Sequence, residues 1–360
     1  GGLDPDSFVH SKYIVIWACN SISTNLHHWA IVNDAKKKGA KVVVIDSYKS
    51  RTAKEADWHI CPKPGTDGAL AVSILNYIIN NNLVDNEYVS NYTNGFDELK
   101  NHVQGKDSSW ASEITGIPAE QIEKLASEMS TQQPVGIRIG VALERHNGGG
   151  QTIRAVTCIP ALTGAWKHVG GGITQFPVWE HPYKFDVICR PDWIPKGTRV
   201  VNALQIGRAL LGENLDKNIP IKSMMCWNAN PVTQAPETEK IIKGLERDDL
   251  FLVSAEHFIS DTASYADILL PASMGAEHID MILSWGHLYL TYNEKCVEPP
   301  GEAIPNYEIF RRLAKLMGYE DEQFLWSDEE CLENYVDWAA PASEGITLDY
   351  LKKNGFARLN

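Results

Sequence analysis

Residues 14–57 read IVIWACNSISTNLHHWAIVNDAKKKGAKVVVIDSYKSRTAKEAD, and residues 224–267 read MMCWNANPVTQAPETEKIIKGLERDDLFLVSAEHFISDTASYAD. Laid over one another at an offset of 210 positions, the two stretches need no gap. Trp17 falls on Trp227, Asn20 on Asn230, Ile31 on Ile241, Val43 on Val253 and Ser50 on Ser260. Thr52, Ala53, Ala56 and Asp57 fall on Thr262, Ala263, Ala266 and Asp267, and Asp46 falls on another acid, Glu256. The shared polar residues follow apolar runs, where an open α/β sheet gathers its ligand contacts. A chain that builds one strand-end site twice is expected to bind two similar ligands, or one ligand with two similar arms.

Working outward, Tyr13–Trp17 is a short apolar run with the character of a buried strand. A polar turn follows, then a helix from about His27 to Lys38 stopped by Gly39, then a second strand over Lys41–Ile45. Strand, helix and strand in that span make a βαβ unit with a right-handed crossover. Further helices are expected over Thr66–Asn80, over Pro118–Met129 and after the glycine-rich loop Glu144–Gln151, with a strand over Val135–Val141. Residues 173–200 hold several prolines and aromatics and read as an irregular excursion. The expected fold class is α/β: two Rossmann-like three-layer αβα domains with mostly parallel sheets, related by an internal repeat. The boundary is placed so that residues 1–135 form the first domain and 136–360 the second.

At 360 residues the chain is long enough for two cores, and 44% hydrophobic with 22% charged residues is ordinary for a globular protein. A formal charge of −13 argues against nucleic acid as a partner, which needs a basic face. The seven cysteines are far apart, without a C-x-x-C, which argues against a cluster or zinc site held by this chain alone. They read as reduced intracellular thiols, so the expected compartment is cytoplasmic. No run approaches a membrane span. No metal ligand is assigned.

Asn20 and Asn230 offer two donors and an acceptor to a phosphate or ribose edge, against the bland alternative of an Asn that makes its own turn. Asp46 and Glu256 end the next strands, where an acid takes ribose hydroxyls in dinucleotide folds or caps a helix. Thr52 and Thr262 open T-A-x-x-A-D, a stretch whose structural reading is the stronger: the Thr caps a turn and the Asp caps the next element. Asp67 opens a helix and either caps it or turns two oxygens toward the paired N–H donors of a guanine edge. Arg145 and His146 lie in the glycine-rich loop, suited to an anion or to proton transfer, or simply solvated. Neither strand is followed by G-x-G-x-x-G and no P-loop is present, which disfavours a nicotinamide or ATP site.

W-A-C-N at 17–20, V-V-V-I-D-S-Y-K-S-R-T-A-K-E-A-D at 42–57, P-G-T-D-G-A-L at 64–70, A-L-T-G-A-W at 161–166, W-N-A-N-P at 227–231 and T-A-S-Y-A-D-I-L-L-P at 262–271 with Glu277 together resemble the molybdenum or tungsten bis(pterin guanine dinucleotide) oxidoreductases. This is the group of dimethyl sulfoxide reductase, formate dehydrogenase and periplasmic nitrate reductase. The resemblance runs through nearly the whole chain. It implies a cofactor, bis-molybdopterin guanine dinucleotide, whose two dinucleotide-like arms meet at one metal, each guanosine end on its own Rossmann-like domain. It implies that Cys19, Asn20, Ser23, Asp46, Ser47, Tyr48 and Asp67 hold one arm, and Asn228, Asn230, Pro231, Thr233, Glu256 and His257 the other. Arg145, and with it His146, would lie near the metal pocket as catalytic candidates.

Members of that group begin with an iron–sulfur or equivalent domain and place the protein ligand to the metal before the strand matching Tyr13–Trp17. The expectation is therefore a central fragment: a 4Fe-4S centre and the metal ligand outside this chain, a C-terminal barrel beyond it, and no activity of the fragment alone. The intact enzyme would exchange an oxygen atom or hydride equivalent with a small-molecule substrate and pass electrons to an Fe-S domain or subunit. The rival reading is a non-catalytic nucleotide-binding or scaffold module of the same fold.

Overall fold

The computed structural model describes residues 2–213 and 219–360, which divide into two compact units. Of these, the first comprises residues 2–181 with 284–289, the second 182–213, 219–283 and 290–360.

Unit 1 is built on a five-stranded sheet of β1 (Tyr13–Trp17), β2 (Lys41–Ile45), β3 (Trp58–Ile60), β4 (Val135–Ile139) and β5 (Gly172–Thr174), in the order β3-β2-β1-β4-β5. Every pairing in it is parallel. Parallel strands covered on both faces read as unbroken apolar runs rather than alternating ones, and β1 is buried at all five positions. Tyr13, Val15 and Trp17 face one core with Val43, Ile45, Ile137, Leu70 and Ile74. Ile14 and Ile16 face the other with Phe8, Val32, Val42 and Val44. The helices Asp67–Asn80, Ala119–Thr131 and Gly149–Leu162 supply the first core, and Leu26–Lys37 the second. Each fully buried aliphatic side chain contributes about 1.5–3 kcal/mol, so this doubly covered sheet is the stable platform of the unit.

The expected boundary at 135/136 is corrected by β4 and β5. Tyr13 pairs with Val135 and Trp17 with Ile139, so β4 covers the side of β1 away from β2. The first unit therefore runs on to His181.

Unit 2 repeats the first three strands as β6 (Ser223–Trp227), β7 (Phe251–Glu256) and β8 (Ile268–Pro271), parallel and in the order β6-β7-β8. The register repeats as well: Ile14 pairs with Val42 and Met224 with Leu252, Val43 with Trp58 and Val253 with Ile268. One face packs on Leu210, Ile241 and Leu245. The other, carrying Trp227, Phe251 and Ile268, is 44–50% exposed at those residues, with Phe310 edge-on to Trp227 at 5.2 Å. A second small sheet, in the order β11-β10-β9, is formed by β9 (Asp280–Ile282), β10 (Tyr289–Asn293) and β11 (Phe356–Arg358). Residues 176–198 hold short helical turns and an isolated bridge from Tyr183 to Val336. Among the described residues no helix is long and apolar enough to cross a membrane.

Candidate functional site

Both copies of the repeat leave their first strand through the same hydrogen-bonded loop. The chain turns at Ala18 and at Asn228, its counterpart, with left-handed φ of +51° and +52°. In unit 1 the Thr52 hydroxyl donates to Asn20 Oδ1 at 2.8 Å and accepts from Ile22 N at 3.0 Å. In unit 2 the Thr262 hydroxyl donates to Asn230 Oδ1 at 2.7 Å and accepts from Val232 N at 3.1 Å. Both threonines are fully buried. The Ser50 and Ser260 hydroxyls accept from Ala53 N and Ala263 N. Asp57 and Asp267 accept from Val42 N and Leu252 N, each at 2.7 Å. The duplicated aspartates thus hold the N–H of the second residue of β2 and of β7 instead of capping the next element. Asn20 and Asn230 spend their carbonyl oxygens on the loop, which leaves their NH2 groups as the donors a ligand can use.

Beyond this loop unit 1 gathers two acids. Asp67 is the first residue of its helix and its carboxylate accepts from Trp17 Nε1 at 2.8 Å. Thr66, the N-cap position, makes no side-chain cap, so Asp67 is fixed by the indole and not by capping. Asp46 directly follows β2 and is half-buried. Burial pushes its carboxyl above the ordinary carboxylate value, the Tyr48 N–H and His59 pull it down, and the neighbouring Asp67 charge raises it further. Ser47 and Tyr48 beside it are exposed. An acidic pair at this strand end suits a ligand edge that only donates.

β4 ends against the loop after β1. A Cβ on Gly140 would lie 1.9 Å from the Ala18 carbonyl oxygen, so only glycine permits the approach, and Gly140 N donates to Trp17 O at 2.9 Å. From β1 the chain order runs outward to β2 on one side, and β4 to β5 on the other. This is the topological switch point where open α/β sheets bind their ligands.

A cavity of about 700 Å³ opens there. Cys19, Asn20, Ser23, Asn25 and His27 line it from the β1 side, Arg138 and Gly140 from β4, and Phe176, Trp285 and His287 from elsewhere in the unit. Phe176 and Trp285 stack at 5.0 Å. Arg138 is 9% exposed, and its Nε has no hydrogen-bond partner. Burial lowers its pKa, and contact with Cys19 opposes that. Behind it His28, hydrogen-bonded through Nδ1 to Ser21 Oγ at 3.0 Å, is pushed down to about 3 by burial and by Arg138. It is therefore a neutral ring at physiological pH.

Arg145 and His146 are exposed and neither lines this cavity. His146 lies over Gly65, where an added Cβ would sit 3.3 Å from its Nδ1. In unit 2, Asn228 is exposed in its left-handed turn and Pro231 opens the turn Pro231–Gln234. Thr233 donates to Asp261 at 2.7 Å. Glu256 Oε1 accepts from His257 N at 2.9 Å, and His257 Nε2 meets Ser273 O at 3.1 Å. Among the described residues no group of three or more His, Cys, Asp or Glu is placed to hold a metal ion.

The model of the molybdopterin oxidoreductase family matches residues 5–316. This chain belongs to that family. Within it, the chain is 40% identical to the probable oxidoreductase YoaE of Bacillus subtilis, over 99% of this chain and 52% of that protein. It is 29% identical to an F420-dependent formate dehydrogenase subunit alpha of Methanocaldococcus jannaschii, over 89% of this chain and 49% of that subunit. Among solved structures, acetylene hydratase from Pelobacter acetylenicus superposes with a TM-score of 0.80 at 25% identity, covering 100% of this chain and 53% of that one. The chain spans about half the length of the relatives it matches.

The family resemblance did not point to three features of the site. Trp17 acts as the hydrogen-bond donor to Asp67. Arg138 stands at the cavity floor, and Phe176 with Trp285 forms an aromatic wall. Arg138 did carry a signal, as the one charged residue in the run Val135–Ile139.

Proposed function

We propose that this chain is the central cofactor-binding part of a molybdenum or tungsten bis(pterin guanine dinucleotide) oxidoreductase. The observation that carries the reading is the duplicated Asn–Thr loop: two strand ends, one in each unit, built with the same bonds and leaving the same amide donors free. In unit 1, Cys19, Asn20 and Ser23 would hold the phosphorylated stretch of one arm, Asp46, Ser47 and Tyr48 its ribose, and Asp67 its guanine. In unit 2, Asn228, Asn230, Pro231, Thr233, Glu256 and His257 would hold the other arm. Arg145 and His146 would act toward the metal end.

The residues of unit 1 fit such a group. The unit holds a cavity with a buried arginine and, after β2, an acidic pair, and a phosphorylated guanosine needs a cation at one end and paired acceptors at the other. The cofactor supplies the oxygen-atom or hydride-equivalent chemistry, and the protein binds and orients it. Electrons would pass to an Fe-S domain or subunit outside this chain.

Asp67→Asn tests the reading. Asn keeps an oxygen for Trp17 but turns an NH2 group where the carboxylate accepted. In the intact enzyme, cofactor occupancy should fall by the equivalent of roughly 1.5–3 kcal/mol, the range for a hydrogen bond to a charged group. The melting temperature of the apo-protein should barely move. Wild-type occupancy in Asp67→Asn would remove this residue from the site.

A further inference from the structure

The switch-point cavity has a charge character opposite to that of the whole protein. The chain carries 46 acidic residues against 33 Lys and Arg, yet among the described residues no Asp or Glu lines this cavity. Its polar lining consists of amides, hydroxyls, the Cys19 sulfur, two histidines and the Arg138 guanidinium. Among the described residues no carboxylate pairs with Arg138, and its Nε is unpartnered although the side chain is nine-tenths buried. A buried, unpaired charge is strongly unfavourable. Its neighbours do not supply a carboxylate: Cys19 Sγ is in contact with the guanidinium, and His28 is a neutral ring. Folded structures keep such a group where a ligand of opposite sign completes it.

We propose that Arg138 is an oxyanion-binding residue on the floor of this cavity, and that the group it takes is a phosphate or diphosphate. The planar guanidinium presents parallel N–H donors that match two oxygens of one phosphoryl group, a geometry lysine does not reproduce. The free NH2 of Asn20, held in place by Thr52, lines the same cavity from the β1 side and adds a second donor. Gly140 lets the strand carrying Arg138 end hard against the Ala18 turn, which brings guanidinium and amide to one opening. The position is also informative. Ile137 and Ile139 face the helical core beside Trp17, so position 138 points to the opposite face. An arginine there faces the Ser21–His28 side instead of solvent.

The inference rests on the cofactor reading for one point only, the source of the diphosphate. It would be the diphosphate of a nucleotide arm, and a free oxyanion substrate would present the same chemistry. Calorimetric titration of the chain with inorganic pyrophosphate and with GDP separates these sources. Wild-type protein should bind pyrophosphate, and Arg138→Gln should weaken binding at least tenfold, with Arg138→Lys between them. If GDP binds more tightly than pyrophosphate and loses that advantage in Asp67→Asn, the nucleotide arm is the source. If GDP binds no better than pyrophosphate, Arg138 serves a free oxyanion and the cofactor reading of unit 1 fails while this assignment stands.

Thermal unfolding supplies a second readout that is independent of affinity. Arg138→Met, which removes a lone buried charge, should melt at or above wild type without ligand and should lose the rise in melting temperature that pyrophosphate gives the wild type. Pyrophosphate bound equally by wild type and Arg138→Gln, or by neither at millimolar concentration, would overturn the proposal. So would an Arg138→Met protein much less stable than wild type without ligand, which would make the arginine structural.

Discussion

The loops after β1 and β6 contain the same bonds at nearly the same lengths, but they stand on different platforms. β1 is central in a five-stranded sheet, buried on both faces and flanked by β2 and β4. β6 is the first of three strands, pairs among described strands only with β7, and carries a half-exposed Trp227 where β1 carries a fully buried Trp17. The loop geometry is therefore local, set by Asn, Thr, Ser and Asp at fixed spacing. What the platform adds in unit 1 is a second wall: the Gly140 turn, Arg138 and the cavity between them.

The largest expected effect separates platform from loop. Gly140→Ala drives a methyl group into the Ala18 carbonyl, and should destabilise unit 1 by at least about 3 kcal/mol, the upper end for forced overpacking. Asn228→Gly, at the counterpart of Ala18, should be neutral or slightly stabilising, within about 1 kcal/mol, because glycine accepts the left-handed turn freely. Urea unfolding would read both. A Gly140→Ala midpoint equal to wild type would refute the close approach of β4.

The next test asks whether the loops are energetically as alike as they are geometrically. Thr52→Val and Thr262→Val each strip a partner from an Asn oxygen and from one backbone N–H. Each should cost about 1–3 kcal/mol, the range for one buried group left without a partner, because the Asn oxygen keeps the backbone N–H of residue 52 or 262 and only the Ile22 or Val232 N–H is orphaned. Costs differing by more than about 1 kcal/mol would show that the platform reaches into the loop.

Acid should distinguish the units by about the same amount. His28 is held neutral in the fold and would take up a proton once unfolded, so its contribution is present above the ordinary histidine value near 6.5 and lost as pH falls toward about 3. The slope approaches about 1.4 kcal/mol per pH unit, or about 2 kcal/mol by pH 5. The second copy carries Thr238 at the matching position, so this contribution has no counterpart in the second copy. Stability of His28→Asn measured from pH 7 to pH 5 should lack that slope; a slope matching wild type would assign the acid sensitivity elsewhere.

The smallest effect concerns Asp46. Its carboxyl is raised by burial and by Asp67, so it favours the protonated form, and the associated stability is lost as pH rises through its folded pKa. Asp46→Asn should melt slightly higher than wild type at pH 7 and equally at pH 3. A lower melting temperature at pH 7 would mean that the ionised carboxylate is held by partners stronger than the Tyr48 N–H.

Much of the loop could be read in the chain because its bonds join residues within about one βαβ unit of each other, so composition and spacing repeat together. The duplicated Asn, Thr, Ser and Asp stood out for that reason, although their spacing could not show that the Asn oxygens are spent internally. The domain boundary was misplaced because β4 pairs with a strand more than a hundred residues earlier, and nothing local at Val135–Ile139 announces its partner. Asp67 was ambiguous for the same kind of reason. A helix-opening acid looks like a cap until Trp17, from another element, is seen to donate to it.

The sequence by itself determined the repeat, the parallel α/β class and the polar residues at two strand ends, because apolar periodicity and hydrogen-bonding side chains act over short separations. Only the tertiary structure decided that β1 lies between β2 and β4, that Gly140 closes on Ala18, and that Arg138 is buried without a carboxylate beside an opening free of acids. Those features depend on which strand becomes whose neighbour. That is settled by which arrangement covers both faces of the sheet, a property of the whole unit and not of any stretch within it.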